Sequence, residues 1–277
     1  MAGKNIDVKE KFFFADGDSA YYDDTIELTV PYYRLIHKTM IDILHHHFKA
    51  QYGGEYKTIK GIILDVGAGT GTESISAMNE FPNMHTLAVD LCEPMKALYE
   101  QNYQKQFGDN EEKQFKYIVE DIMVVSNNDE GIQSYYKSVG QKACKVAMSA
   151  YCIHHFTFEE KKAIYQKMFD MLEPGGVLIN MDLFTYESDV IRLDAHRFDI
   201  DFIIDEFDNP NFENSRKIPQ EQREILKHKW VNHMETAHFL EPVEQHLRLL
   251  REIGFEDVEC VLKYWQQGVI RATKSIE

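Results

Sequence analysis

Short apolar runs alternate with amphipathic stretches through the middle of the chain. The run at 61–66, Gly-Ile-Ile-Leu-Asp-Val, is too short for a helix and reads as a buried strand. A helix is predicted over 72–81, a second strand over 85–90 and a second helix over 93–107. Strands follow at 115–119, 145–149 and 176–181, with a helix at 158–172 before the last of these. Strand–helix alternation with short connections specifies an α/β, doubly wound parallel sheet covered on both faces, with right-handed crossovers.

The pattern differs at both ends. From Pro31 the apolar positions Leu35, Met40, Ile43, Leu44 and Phe48 recur at helical spacing, and Gly53-Gly54 ends the run. Residues 184–232 break the strand–helix rhythm and are dense in Asp and Glu, with Phe198, Phe202, Phe207 and Phe212 among them. They read as a helical insertion. A helix from Pro242 is stopped by Gly254, and apolar runs at 258–262 and 268–272 follow with no helix between them. They predict an antiparallel hairpin at the sheet edge. Four segments result: 1–56 as an N-terminal helical lid, 57–183 as the core, 184–232 as a second lid, and 233–277 completing the core.

Composition narrows the classes of function. The 277 residues carry a formal net charge of −16, with no basic stripe. Phosphate recognition needs clustered Lys and Arg, so nucleic acid is not the expected partner, nor is an anionic membrane surface. No apolar run approaches a membrane span, and residues 1–11 lack the apolar centre of a secretory signal. Four cysteines without a CxxC pair read as reduced thiols in the cytoplasm.

The chemistry begins at Asp65-Val66-Gly67-Ala68-Gly69-Thr70-Gly71, between a strand and a helix. That context gives a glycine-rich turn its meaning. The glycines alternate, unlike the GxGxxG pattern that seats a pyrophosphate. An acid at the strand end would repel a pyrophosphate but suits a ligand ammonium. Asp90, about 20 residues on, is placed to accept from ribose hydroxyls. Asp121 follows the third strand, where it can accept from an adenine amino group. All three acids sit at carboxyl ends of parallel strands, where open α/β sheets bind ligands.

The order Asp65-x-Gly67-x-Gly69-x-Gly71, Asp90, Asp121 and Ser149 to Phe156 resembles the class I S-adenosylmethionine (SAM)-dependent methyltransferases. The resemblance implies a Rossmann-like, mostly parallel seven-stranded sheet with an antiparallel C-terminal hairpin and a helical lid. It implies SAM as cofactor and S-adenosylhomocysteine (SAH) as product. Gly67, Ala68, Gly69 and Gly71 would line the methionine and ribose, Asp65 would face the amino end, and Asp90 the ribose. Asp121 and Ile122 would meet the adenine, with Leu91 and Met95 packed on its ring. Ser149 opens the segment that passes the sulfonium. His154 and His155 resemble a His-His pair of small-molecule members, and each could instead pack beneath the next helix. The stretch 14–33 resembles the lead segment of such enzymes and, more weakly, of carboxy-SAM synthases. Tyr21, Tyr22 and Asp23 fit it, but the arginine expected there is absent, and Arg34 comes later.

The expected activity is methyl transfer to a small molecule by a monomer or homodimer, with His154 or His155 as base and Tyr21 and Asp182 near the pocket mouth. Remodelling of SAM and a non-catalytic SAM-binding scaffold are the alternatives. No metal is expected. His45-His46-His47 lie consecutively on a helix and point apart, while His228, His233 and His238 recur every five residues without ligand geometry. His196, Arg197, Asp199 and Asp201 read as a solvated helix face.

Overall fold

The computed structural model describes residues 21–108, 114–211, 217–236 and 238–276. The stretch Phe12 to Asp16 and Phe212 lie outside the described residues. Seven strands form one sheet: β1 (Gly61–Val66), β2 (Met84–Asp90), β3 (Phe115–Val119), β4 (Cys144–Ala150), β5 (Leu172–Leu183), β6 (Phe255–Tyr264) and β7 (Gln267–Lys274). Their order is β3-β2-β1-β4-β5-β7-β6. The first five are parallel, and β7 pairs antiparallel with both β5 and β6. This is the Rossmann-like sheet with the antiparallel hairpin that the sequence pattern implies.

Every residue of β1 is buried, because alternate side chains serve two cores. Ile63 packs in one core with Val146, Met148 and Ile179, under Ile36, Met40, Leu44 and Phe48 of α2 (Tyr33–Tyr52). Ile62 and Leu64 pack in the other, with Ile164 and Met168 of α6 (Phe158–Met171). The remaining helices are α1 (Tyr22–Thr25), α3 (Thr72–Glu80), α4 (Glu93–Phe107), α5 (Glu130–Ser138), α7 (Asp189–Asp208), α8 (Gln220–Thr236) and α9 (Val243–Ile253). Helix α5 is not anticipated above. It lies in a stretch rich in Asn, Asp and Gly, where turn chemistry masks the Ile132–Tyr136 pair that it buries. The Asp129 side chain caps it through the Ile132 N–H.

Two expectations need correction. A boundary after Asn232 falls inside α8, which continues to Thr236. The insertion's charged face is not wholly solvated, since Asp199 of α7 is fully buried. Neither Asp199 carboxylate oxygen has a hydrogen-bond partner of good geometry. Among the described residues no helix is long and apolar enough to cross a membrane.

Burial pushes the Asp199 carboxyl up to about 7, with Lys263 opposing the shift. The folded chain therefore holds this proton between about pH 4 and pH 7 where the unfolded chain does not, and stability falls as pH rises through that window. Asp199→Asn should flatten the pH dependence of thermal unfolding and stabilise the protein by roughly 2–4 kcal/mol at pH 8, with little effect at pH 4. Parallel melting curves for variant and parent from pH 4 to pH 8 would show that Asp199 is held as a compensated anion.

Candidate functional site

The sheet order reverses between β1 and β4, and there a cavity of about 350 Å³ opens at the strands' carboxyl ends. That is the ligand position in open α/β sheets. Its floor is the glycine loop. Gly67 is left-handed, and a Cβ there would lie 2.3 Å from the Cys152 sulfur. Gly71 is left-handed too, and a Cβ would overlap the Tyr99 ring at 2.5 Å. These two glycines therefore serve close packing. Gly69 is different: the nearest atom to an added Cβ is the Gly67 carbonyl oxygen at 3.9 Å, so it leaves open space facing the cavity.

Asp90 holds that loop in place. Its Oδ2 accepts from the Gly69 N–H at 2.8 Å and its Oδ1 from the Cys92 N–H at 2.7 Å. Burial raises the carboxyl, and these N–H groups pull it back. A carboxylate has about four lone-pair sites, so two backbone bonds leave capacity for ribose hydroxyls. Asp121 Oδ1 accepts from the Met123 N–H at 2.8 Å, fixing its turn at the cavity edge. Gly67, Leu91, Met95 and Ile122 also line the wall.

The lead segment is tied to this floor. Asp23 Oδ1 accepts from the Thr70 hydroxyl at 2.5 Å and Oδ2 from Asn102 at 2.8 Å, while Asn102 also reaches the Thr70 carbonyl. This clamp brings Tyr22 onto the wall, together with Ile26, Thr29 and Val30. Tyr21 is not among the cavity-lining residues; it packs against the core, and its carbonyl accepts from the Thr25 hydroxyl. Arg34 is exposed and pairs with Glu27 at 3.1 Å, so it does not replace the missing arginine. Among the described residues the wall carries no Lys or Arg.

Three other candidates lie behind the wall. Asp65 is buried beneath the loop, and burial pushes its carboxyl up. Burial, with the charge of Asp65 adding to it, raises neighbouring Glu73 as well. Ser149 donates to the Val66 carbonyl at 2.8 Å, using its hydroxyl within the sheet. Ala68, within the loop, is buried against the core.

The opposite end of the cavity is aromatic and imidazole-rich. After β4 the chain turns through Tyr151, which holds a left-handed φ of 49° and is not a glycine. Its hydroxyl is buried without a partner. A 3-10 turn, Ile153–His155, follows. Asp182 lies under this turn and accepts from the His154 backbone N–H at 3.0 Å, the Leu183 N–H at 3.0 Å and His154 Nδ1 at 2.5 Å. Burial pushes the Asp182 carboxyl up to about 6, still ionised at neutral pH. Nδ1 of His154 is therefore the donor and Nε2 is left with its lone pair. Burial first, then the neighbouring imidazoles, holds His154 well below the ordinary histidine value.

Sequence reasoning missed Trp230 and Met234 of α8 and set aside His233 and His238, and all four are on this wall. Their helical and five-residue spacings carry no sign of the cavity. Burial lowers His233 to about 3 and takes His238 well below its ordinary value.

Residues 63–176 match the family model described as a methyltransferase domain. Together with the sheet order and the glycine loop, this gives the class: residues 63–176 form a methyltransferase domain on a Rossmann-like sheet. Among curated relatives it is similar to a carboxy-S-adenosyl-L-methionine synthase of Helicobacter hepaticus, 20% identical over 279 residues and covering 97% of each chain. A synthase of the same description from Nautilia profundicola is also 20% identical, covering 94% of this chain and 93% of that one. Magnesium protoporphyrin IX methyltransferase (ChlM) of Synechocystis PCC 6803, solved with bound SAH, shares the fold. Its TM-score is 0.58 at 11% identity, over 97% of this chain and 98% of that chain.

The Asp23 clamp joins two otherwise separate walls. Asp23→Ala should weaken SAM binding by about tenfold, the loss of one or two hydrogen bonds at about 1 kcal/mol each, with the melting temperature nearly unchanged. Calorimetric titration checks this. Unchanged affinity would show that the lead segment docks without the clamp.

Proposed function

We propose that this protein transfers the SAM methyl group to a small-molecule acceptor bound in the same cavity. The observation that carries the reading is the cavity's polarity. One end has an open glycine, Asp90 and Asp121, and the other has Tyr22, Tyr151 and histidines, under segments from both ends of the chain.

The residues present fit SAM. Gly69 leaves an open surface for the methionine and ribose portion, Asp90 has capacity for the ribose, and Asp121 with Ile122 suits the adenine edge. Leu91 and Met95 offer an apolar face to its ring. Asp65, Ala68, Gly71 and Ser149 support this floor from behind. When bound, SAM supplies a methyl group already made electrophilic by its sulfonium. The protein's task is then to align a nucleophile and exclude water.

Trp230 and Met234 of α8, with Ile26 and Val30, close the acceptor end as a lid. An acceptor that carries a proton must lose it. His154 suits that role, since Asp182 holds its tautomer and Nε2 keeps a lone pair; His155 is the neighbouring alternative. Asp182 acts by orienting His154, and Tyr21 takes no direct part. A wall with Asp90, Glu120, Asp121 and Glu160 but no Lys or Arg favours neutral or cationic acceptors over anionic ones. We place the activity in the cytoplasm, in a monomer or homodimer.

Full-length similarity to carboxy-SAM synthases favours a second reading, in which SAM is remodelled. Holding an additional carboxylate calls for a cation, and the described wall provides none.

Titration with SAM and SAH should show micromolar binding of both, and none of NAD. Incubation with neutral and amine metabolites should then yield SAH and a methylated acceptor by mass spectrometry. A heavier SAM derivative as sole product would establish remodelling. Binding without turnover across a broad acceptor library would favour a scaffold.

A further inference from the structure

We propose that His154, His155, His233 and His238 bind one divalent transition-metal ion, Zn²⁺ foremost, at the acceptor end of the cavity. One ring nitrogen from each of the four lies within 4.8 Å of those of the others. In a tetrahedral zinc site with Zn–N of 2.0–2.1 Å the nitrogens stand about 3.4 Å apart. Small side-chain rotations therefore bring the set onto one ion.

The four come from three separate parts of the chain: the 3-10 turn after β4, helix α8, and the irregular segment after it. Helix α8 ends at Thr236, so His238 leaves the helical path and folds back. Its ring centre lies 4.6 Å from that of His154 and 5.0 Å from that of His233. Both ring nitrogens of His238 are buried without a hydrogen-bond partner. Leaving such groups unpaired is costly, and a metal bond would satisfy one of them.

The surroundings are built to hold the set. The Phe239 N–H donates to the His154 carbonyl at 2.9 Å. The buried ammonium of Lys161 donates to the Phe239 carbonyl and to Glu241. Together these pin His238 against the turn. Asp182 on His154 Nδ1 forms the carboxylate–histidine pair that orients metal-binding imidazoles and raises their basicity. Imidazole nitrogens without oxygen ligands select zinc, copper, nickel, cobalt or iron over magnesium and calcium.

The functional consequence rests on the methyl-transfer reading. An acceptor hydroxyl or amine that replaces one imidazole, or adds as a fifth ligand, becomes more acidic. Its proton passes to water and its lone pair forms the bond to the methyl carbon, while the carbon–sulfur bond breaks with its electron pair left on sulfur. The metal would then both fix the acceptor and take over the task assigned to a histidine base.

The test uses full-length protein stripped by chelation and titrated with ZnCl₂, with CoCl₂ as a spectroscopic probe. One ion per chain should bind, and cobalt should give the visible bands of a tetrahedral nitrogen site. Asp182→Asn should weaken zinc binding by about 10–100-fold, and His233→Ala and His238→Ala by at least as much. His228→Ala, exposed on the same helix, should leave it unchanged. Circular dichroism confirms that each variant is folded. Zinc affinity that survives both His233→Ala and His238→Ala, or that is lost with His46→Ala instead, overturns the site. So does the absence of a tetrahedral cobalt spectrum in the parent protein, which needs no variant to fold. SAM titration of the stripped protein separates the two readings. Retained SAM binding without zinc binding overturns the metal site alone, and zinc binding without SAM binding overturns the methyl-transfer reading.

Discussion

The contact between Gly67 and Cys152 governs the geometry of this protein. Any side chain at 67 would occupy the space of the Cys152 sulfur. Its absence lets the loop after β1 and the turn after β4 touch across the point where the sheet order reverses. The glycine loop then forms the floor of a cavity whose histidine wall begins two residues after Cys152, at His154. Both halves of the proposed reaction depend on that closeness. A wider gap would put the cofactor floor and the acceptor wall in separate clefts.

Around this contact the protein uses carboxylates in two distinct ways. Asp90, partly buried, and Asp182, fully buried, are well supplied with hydrogen bonds, so each organises a loop: Asp90 the glycine turn, Asp182 the histidine turn. Asp65, Glu73 and Asp199 are buried with less support, and burial raises all three. The same burial keeps His154, His233 and His238 neutral. An imidazole cluster free of positive charge keeps its lone pairs available to a cation, and would be unstable as a group of imidazolium ions.

The relatives fit this picture unevenly. The fold is shared with ChlM at 11% identity, while a sequence likeness over nearly the whole chain is to carboxy-SAM synthases. A glycine floor and strand-end acids are common requirements of a nucleoside-bearing ligand, so they track the fold. The wall proposed to face the acceptor is built in part from α8 and the segment after it, and among the described residues it carries histidines and no Lys or Arg. Function in such folds resides in that variable wall.

The alternation of apolar runs and amphipathic stretches was sufficient to read the parallel core. β1, β3 and α4 fall where the local pattern places them, because each carries its own signal: β1 an apolar run buried throughout, β3 the alternation of buried Phe115 and Tyr117, and α4 a proline at its start and Gly108 at its end. The glycine spacing and the strand-end acids were legible for the same reason: each lies within a few residues of the element that positions it. Helix α5 and the role of Asp23 were not legible, nor was the burial of Asp199. These depend on what packs against them from 30 or more residues away in the chain, as in the contact of Asp23 with Asn102. The histidine cluster is the clearest case. In the sequence, His233 and His238 stand about 80 residues from His154 and His155 at a spacing that matches no ligand motif. Only the end of α8 and the pinning of Phe239 to the histidine turn bring them together, because convergence of side chains across a cavity is a property of the packed chain and leaves no local period to read.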